Sequence, residues 1–184
     1  MNKTKKLTLT ALMAALCYVS FTYLQIKIPT VAGYTSFHLG NVFCVLAGML
    51  LDGPTGGLAG AIGMGIGDIL DPVYIITAPK TIILKYTMGY IAGYLAHNVF
   101  KLQDKTGKDL IIKTALTVGL TMLFNVVFEP AFSYLYYDII LSNSEKAKSY
   151  LMLAKWITTI TNAILTTIVA TPLYVIIKKN IKSI

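Results

Sequence analysis

Residues 37–68 read FHLGNVFCVLAGMLLDGPTGGLAGAIGMGIGD. From Asn41 to Leu51 there is no charged side chain, and the run stops at Asp52-Gly53-Pro54, a combination that makes a tight turn. After the turn, glycine recurs at 56, 57, 60, 63, 65 and 67 among apolar residues. Small residues three and four apart share a helix face and let a second backbone come close. The stretch therefore predicts two helices joined by a short turn, the second presenting a glycine face to neighbours. Gly89 and Gly93 repeat the pattern further along.

The rest of the chain has the same character. Of 184 residues, 55% are hydrophobic and 13% are charged, with a mean hydropathy of +0.67. An ordinary soluble domain carries about 25% charge. Apolar runs of spanning length imply an integral membrane protein. Six spans are expected, at about 7–28, 38–51, 55–70, 79–100, 110–134 and 150–177, the second short for a full crossing and the fifth broken at Glu129-Pro130. Residues 30–37, TVAGYTSF, read as a polar loop, as do 101–109 and 136–148. Pro79 suits the first turn of the fourth helix. The fold class is an all-α membrane protein of six transmembrane helices, one domain over 1–184.

The net charge of +8 comes from 16 lysines, without arginine, against 8 acidic residues. The lysines stand at the ends of apolar runs, so they report topology rather than a nucleic-acid face. With both termini on one side, that side carries Lys3, Lys5, Lys6, Lys101, Lys105, Lys108, Lys113, Lys178, Lys179 and Lys182, and the other carries the remaining six. The excess places both termini in the cytoplasm of a multi-pass cell-membrane protein. The start MNKTKK before an apolar run looks like a signal peptide, but the run continues without a small-residue cleavage site and reads as a retained first helix. Cys17 and Cys44 lie within apolar segments and read as buried small hydrophobes. No metal-ligand cluster is spaced in the sequence.

Polar residues inside apolar spans are costly and mark function or a structural ion pair. Asn125 and Glu129 are one turn apart on the fifth helix. Lys155, Thr159 and Asn162 share a face of the sixth, beside Trp156. Lys80 and Lys85 follow Pro79; Lys85, the deeper of the two, calls for a carboxylate such as Glu129 or Asp68. His38 and Asn41 open the second helix. In the topology above these groups fall at one depth, in the outer half, as a solute pocket requires. Aromatic residues crowd the same side, among them Tyr34, Phe37, Tyr86 and Trp156, some as an interfacial belt and some able to stack on a flat heterocycle. Asn125, Glu129 and Asn162 would supply hydrogen bonds to such a ring, while Lys80 and Lys85 could hold a carboxylate.

Gly65-Ile66-Gly67-Asp68 spells GxGD and Tyr137-Asp138 spells YD, the pair of motifs of intramembrane aspartyl proteases. That chemistry needs two carboxylates facing each other. Asp138 instead lies beyond Pro130 toward a loop, and the spans are too few. No HExxH, GxSxG or phosphate-binding loop occurs, so no catalytic residue is assigned.

Four features together resemble the substrate-binding S components of energy-coupling factor (ECF) vitamin transporters: the small six-span size, the opening KLTLTALMAAL with Ala11 and Ala15, the 37–68 stretch, and APKTIILKYTMGYIAGYLAH at 78–97. The resemblance implies an ECF S-component-like bundle that binds one vitamin or precursor from outside. Its first outer loop, with Tyr34 and Phe37, would close the pocket. Ala11 and Ala15 would dock on a transmembrane T component, and two ABC ATPase subunits would hydrolyse ATP, no cofactor being held by this chain. The branch most similar is that for hydroxymethylpyrimidine or pyridoxine-like substrates; riboflavin and carboxylate vitamins are the alternatives. The substrate-binding residues are then His38, Asn41, Lys85, Tyr86, Asn125, Glu129, Trp156, Thr159 and Asn162.

Overall fold

The computed structural model describes residues 2–30, 33–141 and 145–180. Outside them lie residues 31–32 of the loop expected at 30–37, 142–144 of the 136–148 connection, and the closing 181–184 with Lys182. Six helices carry the fold: α1 (Lys3–Thr22), α2 (Gly40–Leu50), α3 (Gly53–Leu70), α4 (Ala78–Tyr94), α5 (Gly107–Leu141) and α6 (Glu145–Asn180). On length and apolarity alone two segments qualify as spans, Gly107–Ile139 and Ser149–Asn180, while α2 is apolar but short.

The chain departs from the expected first span after Thr22. Instead of helix to residue 28 and a polar loop, it forms an antiparallel hairpin of β1 (Gln25–Thr30) and β2 (Gly33–His38), with Gln25 opposite His38 and Thr30 opposite Gly33. The sequence QIKIPT alternates and carries Pro29 as its fifth residue, which suits an exposed ribbon better than a helix. The expected break at Glu129-Pro130 does not occur either. Helix α5 runs through Pro130 and past the anticipated end at 134 to Leu141. One lost backbone bond is tolerated where neighbouring helices hold the segment. Pro172 is carried inside α6 in the same way.

Helices α2, α3 and α4 meet through glycine. A methyl group at Gly89 would lie 2.6 Å from the Gly56 carbonyl oxygen, and one at Gly57 would lie 2.6 Å from the Tyr86 carbonyl oxygen. A methyl at Gly63 would collide with the Ala14 carbonyl of α1. Ala14 and Cys17 are buried there, whereas Ala11 and Ala15 on the same helix are exposed. Cys44 is buried and free, its thiol donating to the Lys85 carbonyl at 3.4 Å.

Helix ends are tied in pairs. Asp52 caps α3 by accepting from the Thr55 amide at 2.8 Å and forms an ion pair with Lys6 of α1. Burial of Asp52 alone would raise its pKa, but the hydrogen bonds from Lys6 and Thr55 hold it below the usual carboxylate value. At the same end, Lys178 of α6 donates to the carbonyls of Leu102 and, at 2.7 Å, Lys105 in the α4–α5 link. The hairpin and the 71–77 link close the opposite end, where Lys27 pairs with Asp71 at 2.5 Å.

Candidate functional site

Under the hairpin lies a cavity of about 70 Å³ walled by residues of all six helices except the far ends of the bundle. The hairpin forms the roof with Tyr34, Thr35, Ser36 and His38. It is strapped down by α6: the Thr35 and Thr158 hydroxyls are 2.8 Å apart, Asn162 Oδ1 accepts from the His38 amide at 3.1 Å, and Asn162 Nδ2 donates to the Ser36 carbonyl at 3.0 Å. Asn162 therefore lines the cavity with its amide already committed to the roof. Phe21 of α1 meets the His38 ring edge-on, 4.9 Å between centroids.

One wall is ionic. Lys80 of α4 lies 2.5 Å from Glu129 Oε1 of α5 and Lys155 of α6 lies 3.5 Å from the same oxygen. Ser133, one turn beyond Glu129, accepts from Lys80 at 3.0 Å and stands 3.3 Å from Oε1. Thr159 donates back to the Lys155 carbonyl at 2.6 Å, which satisfies its hydroxyl within α6. Three helices are joined through a single carboxylate oxygen. Stripping water from such charges costs several kcal/mol per ion, and the mutual pairing offsets it.

Lys85 is handled differently. The carboxylate anticipated for it does not come: it donates to Asn41 Oδ1 of α2 at 3.0 Å and Asn125 Oδ1 of α5 at 3.3 Å. The reason is geometric, since Glu129 lies one turn beyond Asn125 along α5 and faces Lys80 and Lys155 instead. Asp68 of α3 also lines the cavity, and among the described residues it forms no ion pair. Among the described residues its Oδ1, His38 Nδ1 and the Tyr74 hydroxyl are buried without a partner in hydrogen-bond geometry, with Thr81 standing by Asp68 and Ser36 by Tyr74. Unpaired buried polar atoms are rare and call for an explanation, of which an absent ligand or water is one.

The structure thus gathers His38, Asn41, Lys85, Asn125, Glu129, Thr159, Asn162 and the roof residue Tyr34 around one space. Three anticipated residues are not there. Tyr86 and Trp156 point outward, 37% and 41% exposed, and Phe37 is not part of the lining. Tyr86 stacks on Tyr90 along the outside of α4, and Trp156, next to the inward-pointing Lys155, is turned by about 100° of helix away from it to the exposed side of α6. Besides Tyr34, the aromatic rings of the cavity are those of Phe21, Tyr74 and Tyr137. Nothing in the sequence sets Tyr74 and Tyr137 apart from the other aromatic residues of that side. Thr35, Ser36, Thr77, Thr81 and Thr158 had no sequence signal, because hydroxyls in apolar runs are common and usually bond their own helix.

The GxGD and YD motifs do not converge. Asp68 lines the cavity, while Asp138 is exposed near the C-terminal end of α5. Among the described residues no cluster of three or more metal-ligating side chains occurs.

A roofed polar chamber inside an apolar helical bundle is the architecture of a membrane protein that holds a solute. Residues 1–179 match the model of the family described as ECF-type riboflavin transporter, S component, and the chain belongs to that family. Comparison with curated proteins and with solved structures returns no significant match. Members of this family are membrane-embedded S components that bind a small vitamin and work with a T component and ATPases; they are binding subunits, not enzymes.

Proposed function

We propose that this S component captures a small hydroxylated heteroaromatic vitamin or precursor, of the hydroxymethylpyrimidine or pyridoxine kind, in the chamber beneath the hairpin. All six helices cross the membrane in this reading, both termini are cytoplasmic, and the hairpin faces outward. Delivery inward follows docking of the exposed Ala11 and Ala15 face on the T component, with two partner ATPases supplying the energy.

The observation that carries the reading is the size and polarity of the chamber. At about 70 Å³ it is roughly half the ~150 Å³ cavity that accepts benzene. A single substituted ring requires a modest outward shift of the roof, whereas three fused rings require the roof to leave. Polar groups outnumber aromatic ones around the space, which suits a ring bearing several hydroxyl or amino groups. Riboflavin is the second reading, favoured by the family's own description.

The test is calorimetric titration of the detergent-purified protein with hydroxymethylpyrimidine, pyridoxine, riboflavin, thiamine, niacin and pantothenate. Saturable binding of a single-ring compound, weakened by Asn125→Ala, supports the proposal; tight binding of riboflavin alone replaces it with the second reading. Trp156 faces away from the chamber, so heat is a more direct readout than its fluorescence. Ala11→Trp with Ala15→Trp should leave binding unchanged and abolish uptake by the assembled importer. Loss of binding in that variant would assign the two alanines to the fold instead of the docking surface.

A further inference from the structure

The charges around the chamber do not balance. Lys80, Lys85 and Lys155 contribute three cations, and Glu129 and Asp68 contribute two carboxylates. Glu129 is engaged by Lys80 and Lys155 together, while Lys85, 5% exposed, is held by two neutral amide oxygens. An ammonium has three N–H donors, and Asn41 and Asn125 take two of them. A buried ammonium that no carboxylate contacts among the described residues is expensive in a bilayer and marks a place where an ion or substrate group can bind. Beside it the chamber offers polar atoms that have no hydrogen-bond partner among the described residues, Asp68 Oδ1 and His38 Nδ1.

We propose that the ligand is a heteroaromatic ring carrying an anionic oxygen, either the ring oxide of an ionised hydroxypyridine or a ring carboxylate, and that this oxygen completes the coordination of Lys85. The inference rests on the chamber being the vitamin site. A hydroxypyridine in its zwitterionic form also presents a ring N–H, which the unpartnered Asp68 Oδ1 is suited to accept. A ring without a charged oxygen leaves Lys85 with neutral amide oxygens as its direct partners. Neutral hydroxymethylpyrimidine and riboflavin are therefore the poorer ligands, which narrows the proposed substrate to the pyridoxine-like or ring-carboxylate type.

The experiment compares matched pairs on the unmodified, detergent-purified full-length protein by calorimetry: nicotinate against nicotinamide, and pyridoxine against its 3-O-methyl ether. Within each pair the shape is nearly kept and the anionic oxygen is lost. A charge-assisted hydrogen bond predicts a preference for the anionic member of at least one pair by about tenfold to a hundredfold. Lys85→Met should erase that preference. Asn125→Asp, which supplies Lys85 with a carboxylate from the protein, should erase it too and serves where Lys85→Met does not fold. Preference for the nicotinate pair identifies a ring carboxylate and preference for the pyridoxine pair a ring oxide.

Equal or tighter binding of the neutral members overturns the inference, as does a preference that survives both variants. Binding of riboflavin or hydroxymethylpyrimidine alone overturns it while leaving the chamber as the vitamin site. Absence of binding by every compound to folded protein overturns both.

Discussion

Between α3 and α4 the helices approach backbone to backbone, with glycine at 53, 56, 57, 89 and 93 where a side chain would hold them apart. Helices α5 and α6 face the same α4 across long charged and amide side chains, with Lys80, Lys85, Glu129 and Lys155 filling the gap. The first contact gains dispersion energy from close approach, the usual way helices associate where lipid competes for apolar contact. The second contact depends on buried charges satisfying one another and leaves a space in the middle. One side of α4 is built to be rigid, and the other is built to hold something.

The ionic side should be the more fragile. Glu129→Gln leaves Lys80 and Lys155 without their shared carboxylate and should cost about 3–5 kcal/mol of stability, read as a fall in thermal unfolding temperature in detergent. Adding Lys80→Met to that variant should recover part of the loss; no recovery would mean that Glu129 stabilises through something other than the pair.

On the glycine side, Gly93→Ala drives a methyl group into the Gly53 backbone, which cannot move like a flexible side chain. Overpacking of that kind costs about 1–3 kcal/mol. Gly119 on α5 has nothing within 4 Å of the added methyl, so Gly119→Ala should be neutral or stabilise by up to about 1 kcal/mol. Equal effects from the two substitutions would remove the distinction between the seam and the rest of the bundle.

Asp52, in the turn that joins α2 to the seam, should matter less. Asp52→Ala removes the cap on α3 and should cost about 1 kcal/mol, with Asp52→Asn retaining most of it. Its folded pKa is lowered from the ordinary 3.8, so its carboxylate contributes stability above that value and loses it as pH falls through the lowered one. The Asp52→Ala deficit should accordingly shrink below about pH 4. The smallest effect belongs to the roof. Lys27→Ala breaks a partly exposed pair with Asp71, worth about 0.2–1 kcal/mol, and should speed ligand release more than it lowers the unfolding temperature.

Much of this was legible before any coordinates. Helix order, the turn at Asp52-Gly53-Pro54, the glycine seam, and the convergence of Asn125 and Glu129 with Lys155, Thr159 and Asn162 all follow from spacing, because a helix repeats its faces every 3.6 residues. Trp156 and Tyr86 were misread because proximity in sequence does not say which face of a helix a residue takes. The hairpin was missed because six apolar-alternating residues after Thr22 continue a hydrophobic run as readily as they begin a strand. Lys85 was matched to the wrong kind of partner because the choice between Asn125 and Glu129 depends on the height at which α4 and α5 cross.

The sequence by itself determined the class, an apolar helical bundle with lysines at its ends and polar groups at one depth, since composition and periodicity act along a single chain. Only the tertiary structure decided that a hairpin roofs the chamber, that Ala14 packs inward while Ala11 and Ala15 face out, and that one carboxylate serves two lysines while Lys85 is held by two amide oxygens. Those outcomes depend on distances between helices far apart in sequence, which close packing sets to within an ångström and local propensity does not encode.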